Sequence, residues 1–357
     1  MNGLSVIVCC YNSAYRLPET LRHLALQETN FAWELIIVDN LSIDDTVAVA
    51  EYCWKEYATD LPLQIVPATI QGLSHAREKG VTTANYEILI FCDDDNWLDK
   101  NYLQYAFDIM QSNASIGILG GRSEGAFEIT KPAWFDRFGQ AYAIGRQFSK
   151  TGIANARTFI AGAGMVTRKS LLEKLKSCSF NFVTIGRTKS NLLSGDDAEL
   201  SLAMMYMGYD LYYDERLYFI HYMTAQRLHW PYCVRMMSKG HAIPQLYLFF
   251  YDYCYKSFSA KQTPEFEEAY QVLKKQTWKD VKQAMFHAKP FWLPLAILLK
   301  TRPGSRKEIY LKANLHKSIY LLRNKQQLRK AFYTIRTFLQ ELQQSKLRQE
   351  IKELQSQ

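Results

Sequence analysis

In the first quarter of the chain, short apolar runs alternate with longer stretches whose apolar residues recur every three or four positions. The runs predict strands at residues 4–9, 35–38, 63–66 and 88–91. Continuous apolar runs of this length are typical of strands buried on both faces of a sheet. The stretches between them predict helices that begin near Ser13, Thr46 and Gly72. We therefore expect an α/β fold with a mostly parallel central sheet flanked by helices.

Polar residues follow three of the predicted strands directly, at Asn12, Asp39 and Asp93. The carboxyl ends of neighbouring parallel strands meet at one edge of a sheet, where α/β proteins bind ligands. The first strand is followed neither by a GxGxxG fingerprint nor by a P-loop. A phosphate-bearing ligand at this edge would therefore be held in another way.

Three consecutive acids, Asp93, Asp94 and Asp95, follow the fourth apolar run. They repel one another, and Asp93 and Asp95 can turn toward the same point beyond the strand. Mg²⁺ and Mn²⁺ prefer oxygen ligands, commonly one or two carboxylates together with phosphate oxygens. The acids therefore predict a metal–diphosphate site. An acidic surface turn or a helix cap is the alternative.

Four segments, in order and spacing, resemble the motifs of family 2 glycosyltransferases. They are residues 5–12, 36–46, 72–79 and 91–95. Members of that family are inverting enzymes of the GT-A fold that use nucleotide-diphosphate sugars. The resemblance covers about residues 1–225. It implies a catalytic domain there, followed by a mostly helical basic region over 226–357.

The resemblance also implies ligands and residue roles. The donor would be a nucleotide sugar, with UDP-sugar favoured, the acceptor a glycan or lipid, and the cofactor Mn²⁺ or Mg²⁺. The metal ligands would be Asp95 and His221, although a lone histidine is more often a core or surface residue. The nucleotide would be bound by residues at the strand ends: Cys10, Tyr11, Asn12, Asp39, Arg77, Asp93 and Asp94.

A second acidic pair, Asp196 and Asp197, opens a predicted helix. Acids at a helix start are often only caps that interact with the helix dipole. By the resemblance, Asp197 is the general base, which takes the proton of the acceptor hydroxyl. The donor sugar and acceptor would lie against Asp196, Trp230 and a small-residue strand predicted over 158–166. That strand contributes Gly162, Ala163 and Gly164.

Residues 226–230, Gln-Arg-Leu-His-Trp, are similar to the QxxRW motif of processive members of the family, with His229 at the arginine position. Those members carry transmembrane helices, and the apolar run at 291–299 is too short to span a bilayer. We therefore do not expect processivity. Arg227 or Arg235 either contacts the diphosphate or faces solvent.

Charge is distributed unevenly. Residues 1–260 carry 23 basic and 27 acidic side chains, a balance of −4, whereas 261–357 carry 20 and 8, a balance of +12. The predicted amphipathic basic helix over 306–357 suits docking on an anionic membrane. A solvated helical subdomain or a dimerisation helix are the alternatives. No motif supports a nucleic-acid partner, and we expect none.

The seven cysteines are scattered and form no CxxC pair, which fits reduced thiols in a cytoplasm. No signal peptide is expected, so the predicted location is the cytoplasm, at the inner face of the cell membrane. A nucleotidyltransferase is disfavoured because it needs a glycine-rich phosphate loop. A non-catalytic scaffold is disfavoured because both acidic motifs are intact. The sequence thus favours an inverting glycosyltransferase of surface polysaccharide assembly.

Overall fold

The computed structural model describes residues 3–57, 61–157, 159–184, 193–287 and 303–356. These form two compact units. The first consists mainly of residues up to 172 together with 196–228, and the second of the chain from 229 onward with the described residues between 173 and 195. The apolar run at 291–299 lies outside the described residues.

The first unit is built on one mixed sheet. Its strands are β1 (Gly3–Cys10), β2 (Ala32–Asp39), β3 (Leu63–Pro67), β4 (Ile88–Asp93), β5 (Asn96–Leu98), β6 (Ile116–Phe127), β7 (Gly152–Ile153), β8 (Met165–Arg168) and β9 (Asp210–Met223). They are arranged in the order β3-β2-β1-β4-β8-β6-β9-β5, and β7 pairs with β9. The β3-β2-β1-β4 half is parallel, as is the β6–β9 pair, whereas β8 runs antiparallel to both of its neighbours.

Helices cover the sheet. They are α1 (Leu17–Ala25), α2 (Thr46–Glu56), α3 (Leu73–Thr83), α4 (Tyr102–Ser112), α5 (Lys169–Ser177) and α6 (Asp196–Met207). In α1, Leu17, Leu21 and Leu24 recur at helical spacing and are fully buried. Pro18 in the first turn does not disturb the helix, because the first N–H groups have no partner within it. The predicted α/β class, a central sheet flanked by helices, is confirmed.

The register of the sheet places the predicted polar residues side by side. Cys10 at the end of β1 is opposite Asp39 on β2, and Cys9 is opposite Asp93 on β4. The carboxyl ends of three adjacent strands therefore form one edge. This edge is where the strand pattern predicts a ligand.

Two strand predictions were wrong in detail. The predicted strand over 158–166 begins only at Met165, and the described residues before it are irregular, with Gly164 at φ +69°. The apolar runs at 211–213 and 217–220 predict two separate short strands, but both are parts of the single strand β9. The pairing of β9 with β6 is interrupted between Tyr213 and Tyr218.

The aromatic stretch between β6 and β7 contains short helical turns at Phe135–Arg137 and Gly139–Tyr142. Trp134, Phe135, Phe138 and Tyr142 are all buried there. Burial of this kind shows that these rings pack in the interior of the first unit.

The second unit is helical. Its elements are Trp230–Arg235, the π-helical turn Met236–His241, and the helices Pro244–Ser259, Phe266–His287, Arg306–Arg323 and Lys325–Ser356. The single basic helix predicted over 306–357 is thus two helices, separated at Asn324. Phe250, Phe266 and Phe332 pack together with ring centroids 5.4–6.1 Å apart. Within the described parts of the chain, every helix is too short or too polar to span a bilayer.

Candidate active site

The three consecutive acids at the end of β4 do not all have the same surroundings. The carboxylate of Asp94 accepts hydrogen bonds from Arg16 Nη2 at 2.6 Å and from the Ser13 hydroxyl, both near the start of α1. The Asp94 carbonyl accepts one from Thr20 Oγ1 at 2.9 Å. Burial raises the pKa of Asp94, and the Arg16 guanidinium opposes that shift. The Asp94 carboxylate therefore anchors α1, and its nucleotide contact stays a prediction.

Asp95 faces β9 and the turn after it. Its Oδ1 lies 3.3 Å from His221 Nε2, and its Oδ2 accepts a hydrogen bond from Arg227 Nη1 at 3.0 Å. The Asp95–His221 pairing follows from β5, whose Asn96 is opposite His221 in the ladder. Although burial alone would raise the pKa of Asp95, His221 and Arg227 hold it well below its usual range.

Asp95 and His221 fit the two-ligand metal site that the sequence predicts. Ligand atoms bound at about 2.1 Å and at right angles to each other lie about 3 Å apart, close to the Asp95–His221 separation. Across the described residues, however, histidine, cysteine and carboxylate side chains form no group of three or more that would hold an ion. An ion here would need oxygens from a bound ligand, as Mg²⁺ and Mn²⁺ commonly do.

A second group of charges joins α3 to the start of α6. Arg77 Nη1 donates a hydrogen bond to Asp196 Oδ2 at 2.6 Å, and both side chains are largely buried. The guanidinium also lies 5.2 Å from the centre of the Phe91 ring. A methyl group added at Gly162 would lie 2.7 Å from Arg77 Nη2. Glycine at that position therefore makes room for the arginine.

Asp197 lies next to this pair but has different partners. Its Oδ1 accepts a hydrogen bond from the N–H of Ala198 at 2.8 Å, and its Oδ2 accepts one from the N–H of Gly162 at 3.3 Å. Burial, followed by the neighbouring Asp196, raises the pKa of Asp197 to about 6, although Arg77 opposes the shift. A carboxylate with a pKa near the working pH is well suited to accept a proton.

The loops after β1 and β2 are tied to each other. Asn12, at φ +49°, donates its backbone N–H to Ser42 Oγ at 3.0 Å, and its Oδ1 accepts the N–H of Ile43 at 2.9 Å. Asp39 Oδ1 accepts the N–H of Ser42 at 3.1 Å. These bonds hold the predicted nucleotide residues of two strands in one arrangement.

Further residues of the predicted site are Cys10, Tyr11, Ala163 and Gly164. The side chain of Cys10 is fully buried, so only its backbone is available to a ligand, whereas Tyr11 is half-buried. Ala163 is buried between Gly162 and Gly164, and the Gly164 carbonyl accepts a hydrogen bond from Tyr102 Oη at 2.6 Å.

Trp230, predicted to contact sugar or acceptor, belongs to the second unit and is buried there. Its Nε1 donates to Glu308 Oε2 at 3.3 Å. Its indole therefore packs within that unit, and its contact with sugar or acceptor stays a prediction.

Sequence reasoning missed the arginine partners of the acids, including the pairing of Arg77 with Asp196. Arg16 is 78 positions from Asp94, and Arg227 is 132 positions from Asp95. Nothing in the local pattern signals either pairing, since each depends on how the sheet brings distant loops together. For Arg227 the sequence offered only its place in the QxxRW-like segment.

Part of the chain is similar in sequence to known proteins. Residues 5–176 match the family model "Glycosyl transferase family 2". The cholesterol galactosyltransferase of Borreliella burgdorferi is 29% identical over 112 residues, which are 31% of this chain and 30% of that protein. The uncharacterized glycosyltransferase YfnE of Bacillus subtilis is 35% identical over 117 residues, which are 32% of this chain and 29% of that protein.

The chain thus spans less than a third of each of these relatives. Among solved structures, S. aureus TarS 1-349 in complex with UDP-GlcNAc has a TM-score of 0.47 and 16% identity, covering 95% of this chain and 81% of that one. The matched segment, just under half of the chain, is therefore similar to family 2 glycosyltransferases.

Proposed function

We propose that this chain, whose residues 5–176 match the family 2 model, is an inverting glycosyltransferase. It would move a sugar from a nucleotide-diphosphate donor, with UDP-sugar favoured, to a hydroxyl of a glycan or glycolipid in surface polysaccharide assembly. The observation that carries the proposal is the contrast between Asp196 and Asp197. Asp196 is neutralised by Arg77, whereas Asp197 keeps a raised pKa of about 6 beside backbone donors. One carboxylate is thereby left to act as a base.

In this mechanism Asp197 accepts the proton of the acceptor hydroxyl as that oxygen attacks the anomeric carbon. Inversion requires the base to act on the face opposite the leaving diphosphate. The N–H groups of Gly162 and Ala198 fix the position of the Asp197 carboxylate. The donor sugar would lie beside the segment Gly162–Gly164, next to this carboxylate.

The diphosphate would be held at the carboxyl edge of the sheet. Asp39 and Asp93 would face the base and ribose, beside the loop that contains Asn12. Asp95 and His221 would hold Mn²⁺ or Mg²⁺ together with diphosphate oxygens. A divalent ion supplies positive charge that stabilises the leaving nucleotide.

We further propose a domain over residues 1–225 for catalysis and a basic region over 226–357 that docks on an anionic membrane at the cytoplasmic face. Support comes from the balance of +12 in 261–357 and from the helix Phe266–His287. Trp278 and Phe286 are 48% and 62% exposed there, and the lysines interleaved with them are exposed too. Aromatic and basic side chains on one face suit the interface of a bilayer.

Co-sedimentation with vesicles tests the docking. We expect binding to vesicles that contain phosphatidylglycerol and none to pure phosphatidylcholine. Replacing both Lys279 and Lys282 by glutamate should abolish it. Equal binding to both vesicle types, or binding unaffected by the charge reversal, would refute electrostatic docking.

Donor binding tests the main proposal. UDP, GDP and dTDP would each be titrated calorimetrically, with and without Mn²⁺, followed by a transfer assay with the sugar nucleotides of whichever base binds. We expect micromolar, Mn²⁺-dependent binding of one nucleotide, weakened by Asp95→Asn and unchanged by Asp108→Asn on the surface of α4. A folded sample that binds none of the three would instead favour a non-catalytic binding protein.

A further inference from the structure

The carboxylate of Asp95 has no unoccupied oxygen. Arg227 Nη1 donates to Oδ2 at 3.0 Å, while Oδ1 accepts from Asn96 Nδ2 at 3.1 Å and lies 3.3 Å from His221 Nε2. The same Arg227 nitrogen is 3.4 Å from His221 Nε2. One guanidinium therefore contacts both side chains proposed to hold the metal.

A metal ion and the guanidinium would compete at this position. Asp95 is 11% exposed, His221 4% and Arg227 15%, so water screens their charges poorly. Two cations held by one buried carboxylate repel each other strongly. For a divalent ion to bind Asp95 and His221, Arg227 must leave.

Arg227 also has a donor group that a new partner can use. It lies on the short helical turn Ala225–Leu228 after β9. Its Nε is buried and, among the described residues, has no hydrogen-bond partner. A guanidinium with an unused donor binds phosphate oxygens in the paired geometry that it also uses for carboxylates.

We propose that Arg227 is the resident counter-cation of Asp95, which is displaced when metal and nucleotide diphosphate bind together and then pairs with the diphosphate. This inference rests on the proposed function. Arg227 is a positioning residue here: it keeps the acidic site neutral before the donor arrives and makes metal binding depend on the diphosphate. Because coupling between two ligands is reciprocal, each ligand should tighten the binding of the other.

The test measures Mn²⁺ binding to the full chain by electron paramagnetic resonance, which needs no turnover. Without nucleotide, Arg227→Gln should bind Mn²⁺ at least tenfold more tightly than the unmodified chain, because the competing cation is gone. Arg227→Lys keeps the charge and should stay near the original affinity. Arg122→Gln, which removes a half-buried arginine paired with the exposed Glu124, should change nothing.

Saturating UDP, or whichever nucleotide the calorimetry selects, provides the second measurement. In the unmodified chain it should tighten Mn²⁺ binding tenfold or more, and in Arg227→Gln this gain should shrink. Arg227→Met, which is close to arginine in length and uncharged, should behave like Arg227→Gln. Thermal unfolding of each variant checks that it is folded.

Several outcomes would overturn the inference. If Arg227→Gln and Arg227→Met bind Mn²⁺ no more tightly than the unmodified chain, Arg227 does not compete with the metal. A lysine variant that behaves like the glutamine variant would show that charge is not the cause. In both cases normal metal-dependent nucleotide binding would leave the proposed function standing. Absence of all nucleotide and metal binding in the unmodified chain would instead refute both.

Discussion

Arg77 pairs with Asp196 at 2.6 Å and not with the adjacent Asp197. The two carboxylates are neighbours in sequence, yet one shares a buried guanidinium and the other accepts backbone hydrogen bonds. A single arginine is therefore paired with one of two like residues, while burial and the neighbouring Asp196 raise the pKa of the other. A carboxylate with a raised pKa is typical of acid–base catalysis.

The first prediction concerns the base itself. Asp197→Asn should lower kcat by roughly 100-fold or more, because general bases typically contribute that much, while donor binding stays within about twofold. Steady-state kinetics and calorimetry measure the two quantities separately. Asp108→Asn on the surface of α4 serves as the control. Unchanged turnover in Asp197→Asn would show that Asp197 is not the general base.

The pH profile provides a second prediction. Burial and Asp196 raise the pKa of Asp197 to about 6, so the base is protonated and inactive below that pH. We expect kcat/KM to rise with pH, to reach half its maximum near pH 6 and to be flat above it. Asp196→Asn removes the repulsion and releases Arg77 toward Asp197. Both changes lower the pKa, so the acid limb should shift to lower pH.

If the acid limb of the kcat/KM profile stays in place in Asp196→Asn, the titrating group is not Asp197.

The raised pKa of Asp197 also affects the stability of the fold, in the opposite sense to a salt bridge. Because the folded state favours the protonated form, the stability contributed by this group is present at low pH. It is lost as pH rises through about 6.

Arg77 itself is the subject of a third prediction. Arg77→Met leaves Asp196 buried without its cation, and breaking a buried pair in this way costs about 3–5 kcal/mol. The free energy of unfolding from urea titration measures the loss. Arg122→Gln breaks an exposed pair and should cost about 0–1 kcal/mol. Equal costs at the two sites would mean that the Arg77–Asp196 pair does not support the site.

Gly164 allows a fourth prediction with a matched control. Its φ is +69°, and a methyl group there would lie 2.6 Å from Tyr102 Oη, which already bonds the Gly164 carbonyl. Gly208 also has a positive φ, +97°, but has no atom within 4 Å of an added methyl group. Gly208→Ala should therefore cost only the backbone strain, about 1 kcal/mol.

Gly164→Ala should cost that amount plus the clash, and urea titration of the two variants gives the difference. Because Gly164 lies beside the proposed sugar site, its variant should also raise the KM for the donor. Equal destabilisation in the two variants would show that the Tyr102 side chain moves away from the added methyl group at little cost in free energy.

Sequence reasoning succeeded where one dominant force determines structure. The four apolar runs became β1 to β4 because a strand buried on both faces needs little beyond continuous hydrophobicity. It failed where the pattern was interrupted. Asp214 and Arg216 in the middle of β9 read as a turn, yet Asp214 is buried and paired with Arg216 at 2.8 Å. The strand continues through a bulge at that point.

The candidate site shows the same division. Asp95 and His221 were predicted as partners and lie 3.3 Å apart. Their contact with Arg227, and the capture of Asp94 by Arg16, depend on loops far apart in sequence. The hydrophobic period and the spacing of residues predict which face a single helix or strand buries. They hold no information on which distant charge neutralises a given acid.

Substitutions at Asp93, Asp94 and Asp95 should affect the amount of folded protein and the amount of product differently. Its neighbours Asp93 and Asp95 border the ligand edge, whereas Asp94 anchors α1 through Ser13 and Arg16. A survey that scores only the amount of protein in cells should therefore find Asp94 intolerant, together with Asp95 and its buried ion pair, and the less buried Asp93 permissive. A survey that scores product should find all three intolerant. Comparing the two surveys at three successive positions would separate residues needed for assembly of the fold from those needed for its chemistry.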